Sequence, residues 1–133
     1  MKDKDGYRHD NTSVSLINYH FVWIVRRRRK ILFGNLEKRL KVLINEAVES
    51  IDCEVIALEM DKDHVHLFVQ SHPRIAPYQI IHKVKGYTSS QLRKEFPELL
   101  KLPSLWTRTY FCGTAGSMST ETIKRYVENQ KCK

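Results

Sequence analysis

Two histidines stand two residues apart in Asp63-His64-Val65-His66-Leu67-Phe68-Val69, within a run of β-branched and aromatic residues. Such a run reads as a strand, and side chains on a strand alternate between its faces. His64 and His66 therefore share one face, with Val65, Leu67 and Val69 on the other. Two imidazoles one pleat apart can converge on a single divalent ion, and imidazole is the commonest protein metal ligand. The same spacing also describes an ordinary polar strand face. It becomes informative only if another part of the chain needs a metal beside it.

Tyr126 and Gln130 offer such a need. They are four apart in a stretch, about Thr120 to Gln130, that reads as a helix capped by Ser119 with Glu121 in its first turn. A tyrosine hydroxyl, with a pKa of about 10, is a weak nucleophile. Its attack on a phosphodiester needs the phosphate charge neutralised and the leaving oxygen positioned, which a divalent ion can do. Gln130 can add an oxygen to the ligand set. Against this, Ile123, Tyr126, Val127 and Gln130 also fit an apolar helical stripe, in which Tyr126 is a core aromatic.

The rest of the chain must position these groups. A long strand runs from Ser15 to Val25, with Ile17, Tyr19, Phe21, Trp23 and Val25 on a core face and a mixed second face that includes His20. Arg26, Arg27, Arg28, Arg29 and Lys30 follow without a break, either as a solvated charge run or as a phosphate clamp. Leu36, Leu40, Leu43, Ala47, Val48 and Ile51 recur at helical spacing, which predicts a helix from about Asn35 to Ser50. Cys53 to Asp61 reads as a second strand with Ile56, Leu58 and Met60 facing the core. The His64/His66 strand comes next. Pro77 suits the first turn of a second helix that ends near Glu95, before Phe96-Pro97. The exposed side of that helix carries Lys83, Lys85, Arg93 and Lys94, and Gly86 in its middle is either slack or a point of close approach. Leu105 to Cys112 reads as a fourth strand, and Gly113-Thr114-Ala115-Gly116 as a flexible joint before the last helix.

The order βαββαβ is the split, ferredoxin-like α+β pattern. It makes the first and third strands central neighbours in an antiparallel sheet, with two helices on one face. His20, His64, His66 and Asp61 then belong to the other face, across which the C-terminal helix can lie.

At 133 residues the chain is long enough for one domain and too short for two. Its polar first twelve residues are expected to fray. Three cysteines, Cys53, Cys112 and Cys132, have no paired spacing, which argues against a disulfide framework or a zinc knuckle. No apolar run reaches membrane-spanning length and the N-terminus is not a signal peptide, so a cytoplasmic location is expected. The net charge of +8 favours a polyanionic partner, with nucleic acid the default.

The chain resembles the TnpA-type single-tyrosine transposases of bacterial and archaeal insertion sequences, within the HUH endonuclease superfamily. The resemblance spans about Asn18 to Gln130. It rests on Tyr19-His20-Phe21-Val22-Trp23 with the basic run behind it, and on Asp63-His64-Val65-His66-Leu67. It continues in Lys85-Gly86-Tyr87-Thr88-Ser89, Leu92 to Pro97, Leu105-Trp106, Tyr110-Phe111 and Thr114-Ala115-Gly116. Thr122 to Gln130 completes it.

The resemblance implies that Tyr126 attacks single-stranded DNA, leaving a 5′-phosphotyrosine and a free 3′-OH that later rejoins strands. It implies His64, His66 and Gln130 as ligands of Mg²⁺ or Mn²⁺, with Asp61 as a further candidate. Imidazoles alone do not select Mg²⁺, so that choice comes from the resemblance. It also implies a homodimer whose fourth strands meet edge to edge and whose active sites are shared. Gly113 and Gly116 would be the hinge, and hairpins at the element ends the DNA bound. Arg26 to Lys30, Lys83, Lys85, Arg93 and Lys94 are the candidate DNA contacts. Only three residues follow Gln130 here, where many members continue, so the last helix is expected to be less well anchored. Other readings are a non-catalytic RRM-like nucleic-acid binder, a different metal-dependent hydrolase, and a related tyrosine transposase acting on chromosomal palindromic repeats. The RNP aromatic pattern of the first is missing.

Overall fold

Why the chain folds as it does is clearest at its first long strand. In a computed structural model, which describes residues 2–114, Ile17–Ile24 puts Phe21 and Trp23 fully inside the protein, and Val25 just beyond them. We label the strands in chain order. The hairpin strands are β1 (Arg8–His9) and β2 (Val14–Ser15), and the long strand is β3 (Ile17–Ile24). Then come α1 (Gly34–Ser50), β4 (Glu54–Met60), β5 (His64–Ser71), α2 (Pro77–Glu95) and β6 (Phe111–Thr114). Strands β4-β5-β3-β6 form one sheet, antiparallel at every pairing, with β3 and β5 in the centre. This is the ferredoxin-like order expected.

Both helices pack on one face of that sheet. Leu40, Leu43 and Ile44 of α1 and Ile80, Ile81 and Val84 of α2 meet Val65, Leu67 and Val69 of β5 in a single core. Burying each such side chain stabilises the fold by about 1.5–3 kcal/mol. Pro77 opens α2, and Gln79 Oε1 accepts the otherwise orphaned Ala76 amide N–H at 2.8 Å. Arg39 holds Glu95 with two hydrogen bonds of 2.7 and 3.0 Å, joining the helices at the surface. Among the described residues, a Cβ at Gly86 would meet nothing within 4 Å.

Four expectations need correction. The fourth strand is Phe111–Thr114, not Leu105 to Cys112. Trp106 makes only an isolated bridge to Val25, because its indole N–H is drawn to the Thr88 hydroxyl of α2 at 3.1 Å. The following carbonyls, of Thr107, Arg108 and Thr109, turn to the Lys85 ammonium at 2.7, 3.4 and 3.4 Å. Leu105 to Thr107 thus meet only the end of β3, through bonds from the Arg26 N–H to the Leu105 carbonyl and from the Thr107 N–H to the Ile24 carbonyl, and the ladder resumes at Phe111. Gly113 consequently lies within β6, opposite His20, and not in a joint.

The core face of β4 is Val55, Leu58 and Met60. Ile56 faces the opposite side with Phe68 and Ala57. The cause is a register shift between Val55 and Ala57, where one extra residue reverses the alternation. Finally, residues 2–15 carry the β1–β2 hairpin. Arg8 is buried there, and its guanidinium donates to the Asp52 carbonyl at 2.9 Å and the Asp52 carboxylate at 3.3 Å. Gln70 of β5 donates to the Gly6 carbonyl at 2.6 Å, so this segment covers one end of the sheet face opposite α1 and α2.

Candidate active site on the sheet face opposite the helices

Cross-strand register brings the chemistry-bearing residues together. On the face away from the helices, Ile24 of β3 pairs with His64 of β5. In the next row Phe111, Val22, His66 and Glu59 lie side by side. The row after that holds Gly113, His20, Phe68 and Ala57. The His64 and His66 rings are 5.1 Å apart between centroids and inclined at 71°.

His64 is held from both sides by carboxylates. Its Nδ1 lies 2.7 Å from Asp63 Oδ1, and its Nε2 lies 3.1 Å from Asp61 Oδ2. A carboxylate only accepts, so Nδ1 carries the proton and donates to Asp63. Without a second ring proton, Nε2 turns its lone pair toward Asp61; with one, both nitrogens donate to carboxylates. A lone pair and a carboxylate oxygen at that separation call for a cation or a proton between them. Neighbouring ligands of an octahedral ion at 2.0–2.1 Å also stand about 3 Å apart. Asp63 is fixed in turn by Arg28, whose Nε donates to Oδ2 at 3.3 Å. The His64 hydrogen bond and the nearby charges of His64 and Arg28 hold the Asp63 carboxyl below the usual carboxylate range.

His66 has a different neighbour. Its Nδ1 lies 3.2 Å from His20 Nε2. Burial, and then the nearby His66, push His20 down to about 4. Burial and His64 also lower His66, against the opposing pull of Asp61 and Glu59. Both rings are therefore neutral near pH 7. His20 is stacked on Phe68, with centroids 4.2 Å apart and planes 5° from parallel, and Phe111 meets it edge-on at 5.6 Å.

The structure places His64 in contact with Asp61 and His66 beside His64 on the same face. Among the described residues, no three His, Cys, Asp or Glu side chains converge closely enough to hold an ion by themselves. Tyr126, Gln130 and Gly116 lie outside the described residues. The structure adds Asp63, His20, Glu59, Phe68 and Phe111 as neighbours of the pair. Asp63 was visible as the residue beside His64, and His20 was already placed on this face by strand alternation; its contact with His66, and the positions of Glu59, Phe68 and Phe111, needed the strand register.

The candidate DNA contacts do not form one patch. Arg26 to Lys30 turn sharply off the end of β3, with Arg27 and Arg28 at φ of 59° and 53°, a left-handed conformation rare for such residues. Arg26 donates to the Ser104 hydroxyl at 3.3 Å, while Arg27, Arg29 and Lys30 are exposed. Lys83 and Lys94 are exposed on α2, with the sheet between them and the histidines. Lys85 and Arg93 are turned inward. Arg93 donates to the Leu102 and Pro103 carbonyls at 3.1 and 3.5 Å, as Lys85 does to residues 107–109. Both cations pin the segment after α2. No helix among the described residues is long and apolar enough to cross a membrane.

The chain is similar to known proteins over most of its length. The family model for IS200-like transposases matches residues 13–130. The chain is 28% identical over 133 residues to the ISDra2 transposase TnpA of Deinococcus radiodurans, covering 98% of this chain and 91% of that one. It is 24% identical over 115 residues to the transposase for insertion sequence element IS200 of Salmonella typhimurium, covering 84% and 75%. The fold superposes on the crystal structure of a protein assigned as a transposase in Deinococcus radiodurans. That match has a TM-score of 0.77 and 26% identity, over 92% of this chain and 97% of the other. A tyrosine transposase bound to a REP hairpin shares the fold at a TM-score of 0.61 and 14% identity, over 91% and 68%.

Proposed function

Because the chain belongs to the IS200-like transposase family, we propose that it cleaves and rejoins single-stranded DNA at the ends of an insertion sequence, using a divalent ion. The observation that carries the metal part of this reading is the contact between His64 Nε2 and Asp61 Oδ2 at 3.1 Å, with His66 on the same face. These nitrogen and oxygen donors suit Mg²⁺ or Mn²⁺ when joined by a further oxygen ligand, and Gln130 is the residue to supply it. The ion, when bound, would neutralise phosphate charge and polarise the scissile P–O bond.

The protein's own groups do the rest. Asp63 keeps the His64 proton on Nδ1 and so keeps Nε2 available. Tyr126 gives up its proton and forms a bond to phosphorus, while the P–O3′ bond breaks and leaves a 3′-OH. The phosphotyrosine conserves the bond energy, so a later attack by a 3′-OH restores a phosphodiester and releases the tyrosine without ATP. The outer edge of β6 has no strand partner among the described residues, which supports edge-to-edge pairing of two copies. Exposed Arg27, Arg29, Lys30, Lys83 and Lys94 offer charge to a DNA hairpin, the kind of ligand held by the distant relative.

The test mixes the protein with labelled single strands from the DNA flanking its own gene, with Mg²⁺ or Mn²⁺, beside Tyr126→Phe. A covalent protein–DNA band on a denaturing gel, absent in the mutant and in EDTA, is the expected result. Cleavage without that band would indicate a hydrolase. Tight hairpin binding with neither cleavage nor adduct would indicate a binder.

A further inference from the structure

We propose that His20 is the positioning residue for His66: its Nε2 accepts the His66 Nδ1–H and so leaves the His66 Nε2 lone pair for a divalent ion. This rests on the reading of His66 as a metal ligand.

The geometry restricts the alternatives. His66 Nδ1 and His20 Nε2 are 3.2 Å apart, and a hydrogen bond there needs one donor and one acceptor. A neutral histidine that ligates through one ring nitrogen carries its proton on the other. Since Nδ1 of His66 is occupied by His20, ligation falls to Nε2 and the proton to Nδ1. His20 must then accept at Nε2 and carry its own proton on Nδ1.

His20 is also built to stay in place. Its ring lies flat on Phe68 at 4.2 Å and is met edge-on by Phe111 at 5.6 Å. Phe111 can fold over this row because residue 113 is glycine. A Cβ there would come within 3.2 Å of the Phe111 ring. The two histidines of the motif are thus oriented through the same atom by different partners: Asp63 for His64 and His20 for His66. A neutral acceptor at the second position avoids adding charge to a face that already presents Asp61, Asp63 and Glu59.

The test uses full-length protein labelled with ¹⁵N-histidine, metal-free and near neutral pH. Long-range ¹H–¹⁵N spectra report the tautomer of each ring, with His66→Gln assigning the signal. Mn²⁺ affinity is measured in parallel by calorimetry. Wild type is expected to show His66 protonated on Nδ1. His20→Phe keeps the ring stack but removes the acceptor. It should move the His66 proton toward Nε2 and weaken Mn²⁺ binding about 10–100-fold, the usual cost of losing a ligand's hydrogen-bond partner. His20→Gln, which keeps an acceptor, should recover most of both. The proposal is overturned if wild-type His66 is protonated on Nε2, or if His20→Phe matches wild type in tautomer and affinity. If the tautomer shifts as expected but no form binds Mn²⁺, the hydrogen bond stands and the metal reading fails.

Discussion

Asp63 touches the His64 ring at 2.7 Å with one carboxylate oxygen and the Arg28 guanidinium at 3.3 Å with the other. One acidic side chain therefore connects the basic run to the motif whose spacing first suggested a metal. A surface ion pair between Arg28 and Asp63 contributes little to stability by itself. Its consequence is orientation. Asp63→Ala is expected to fold normally and to bind Mn²⁺ about 10–100-fold more weakly, because His64 is free to rotate and to change tautomer. Calorimetry on the metal-free protein measures this directly; unchanged affinity would remove Asp63 from the site.

The left-handed backbone of Arg27 separates a structural role from a charge role. A non-glycine residue in that conformation costs about 1–2 kcal/mol, which glycine does not incur. Arg27→Gly should therefore leave thermal stability unchanged or slightly raised, since greater freedom of the unfolded chain offsets part of the gain. The same variant loses an exposed cation. If Arg27 meets a phosphate, the slope of log affinity against log salt for a DNA hairpin should fall by about 1. An identical slope would leave Arg27 a solvated charge.

Period-based reading recovered α1, α2 and β5 because each buries one continuous face, and the helical or alternating pattern is then local. It placed His64, His66 and Asp61 on one side for the same reason. It failed where a tertiary contact overrides local pattern. Leu105 and Trp106 are β-like residues, yet Trp106 bonds to Thr88 and β6 begins only at Phe111. Ile56 alternates correctly until a single inserted residue turns it to the other face. The polar N-terminal segment is ordered by Arg8 reaching Asp52, 44 residues away. The His20–His66 contact was equally hidden, because it depends on the register between β3 and β5 and not on either strand alone.

Lys85 and Lys83 are two residues apart on one helix and should behave differently. Burial lowers the Lys85 pKa, and its ammonium faces three backbone carbonyls of the segment leading to β6. Lys85→Met keeps the apolar stem and removes those bonds. It is expected to destabilise the protein by about 1.5–3 kcal/mol, the range for hydrogen bonds from a charged group, with little change in the salt dependence of DNA binding. Lys83→Met should do the reverse. Chemical denaturation and salt titration of both variants decide the assignment. A stable Lys85→Met with weakened DNA binding would return Lys85 to the DNA contacts.

The buried histidine pair sets a direction for the pH dependence of folding. His20 titrates at about 4 in the folded protein, against 6.5 for the unperturbed ring, with burial the main cause, and His66 is lowered as well. Well above pH 6.5 neither state binds a proton at these positions, and they contribute no pH dependence. As pH falls below 6.5 the unfolded chain takes up protons that the folded chain refuses, so stability drops until the folded His20 also titrates near 4. Asp63 and Glu95, both lowered by hydrogen-bonded partners, lose their contributions in the carboxylate range, lower than the start of the histidine window. The denaturation midpoint of metal-free protein should therefore fall between pH 6.5 and about 5, where carboxylates are still ionised. His20→Phe should fall less steeply over that interval. Equal slopes in the two proteins would mean that His20 is solvated enough to protonate normally, and that its stack between Phe68 and Phe111 does not exclude water.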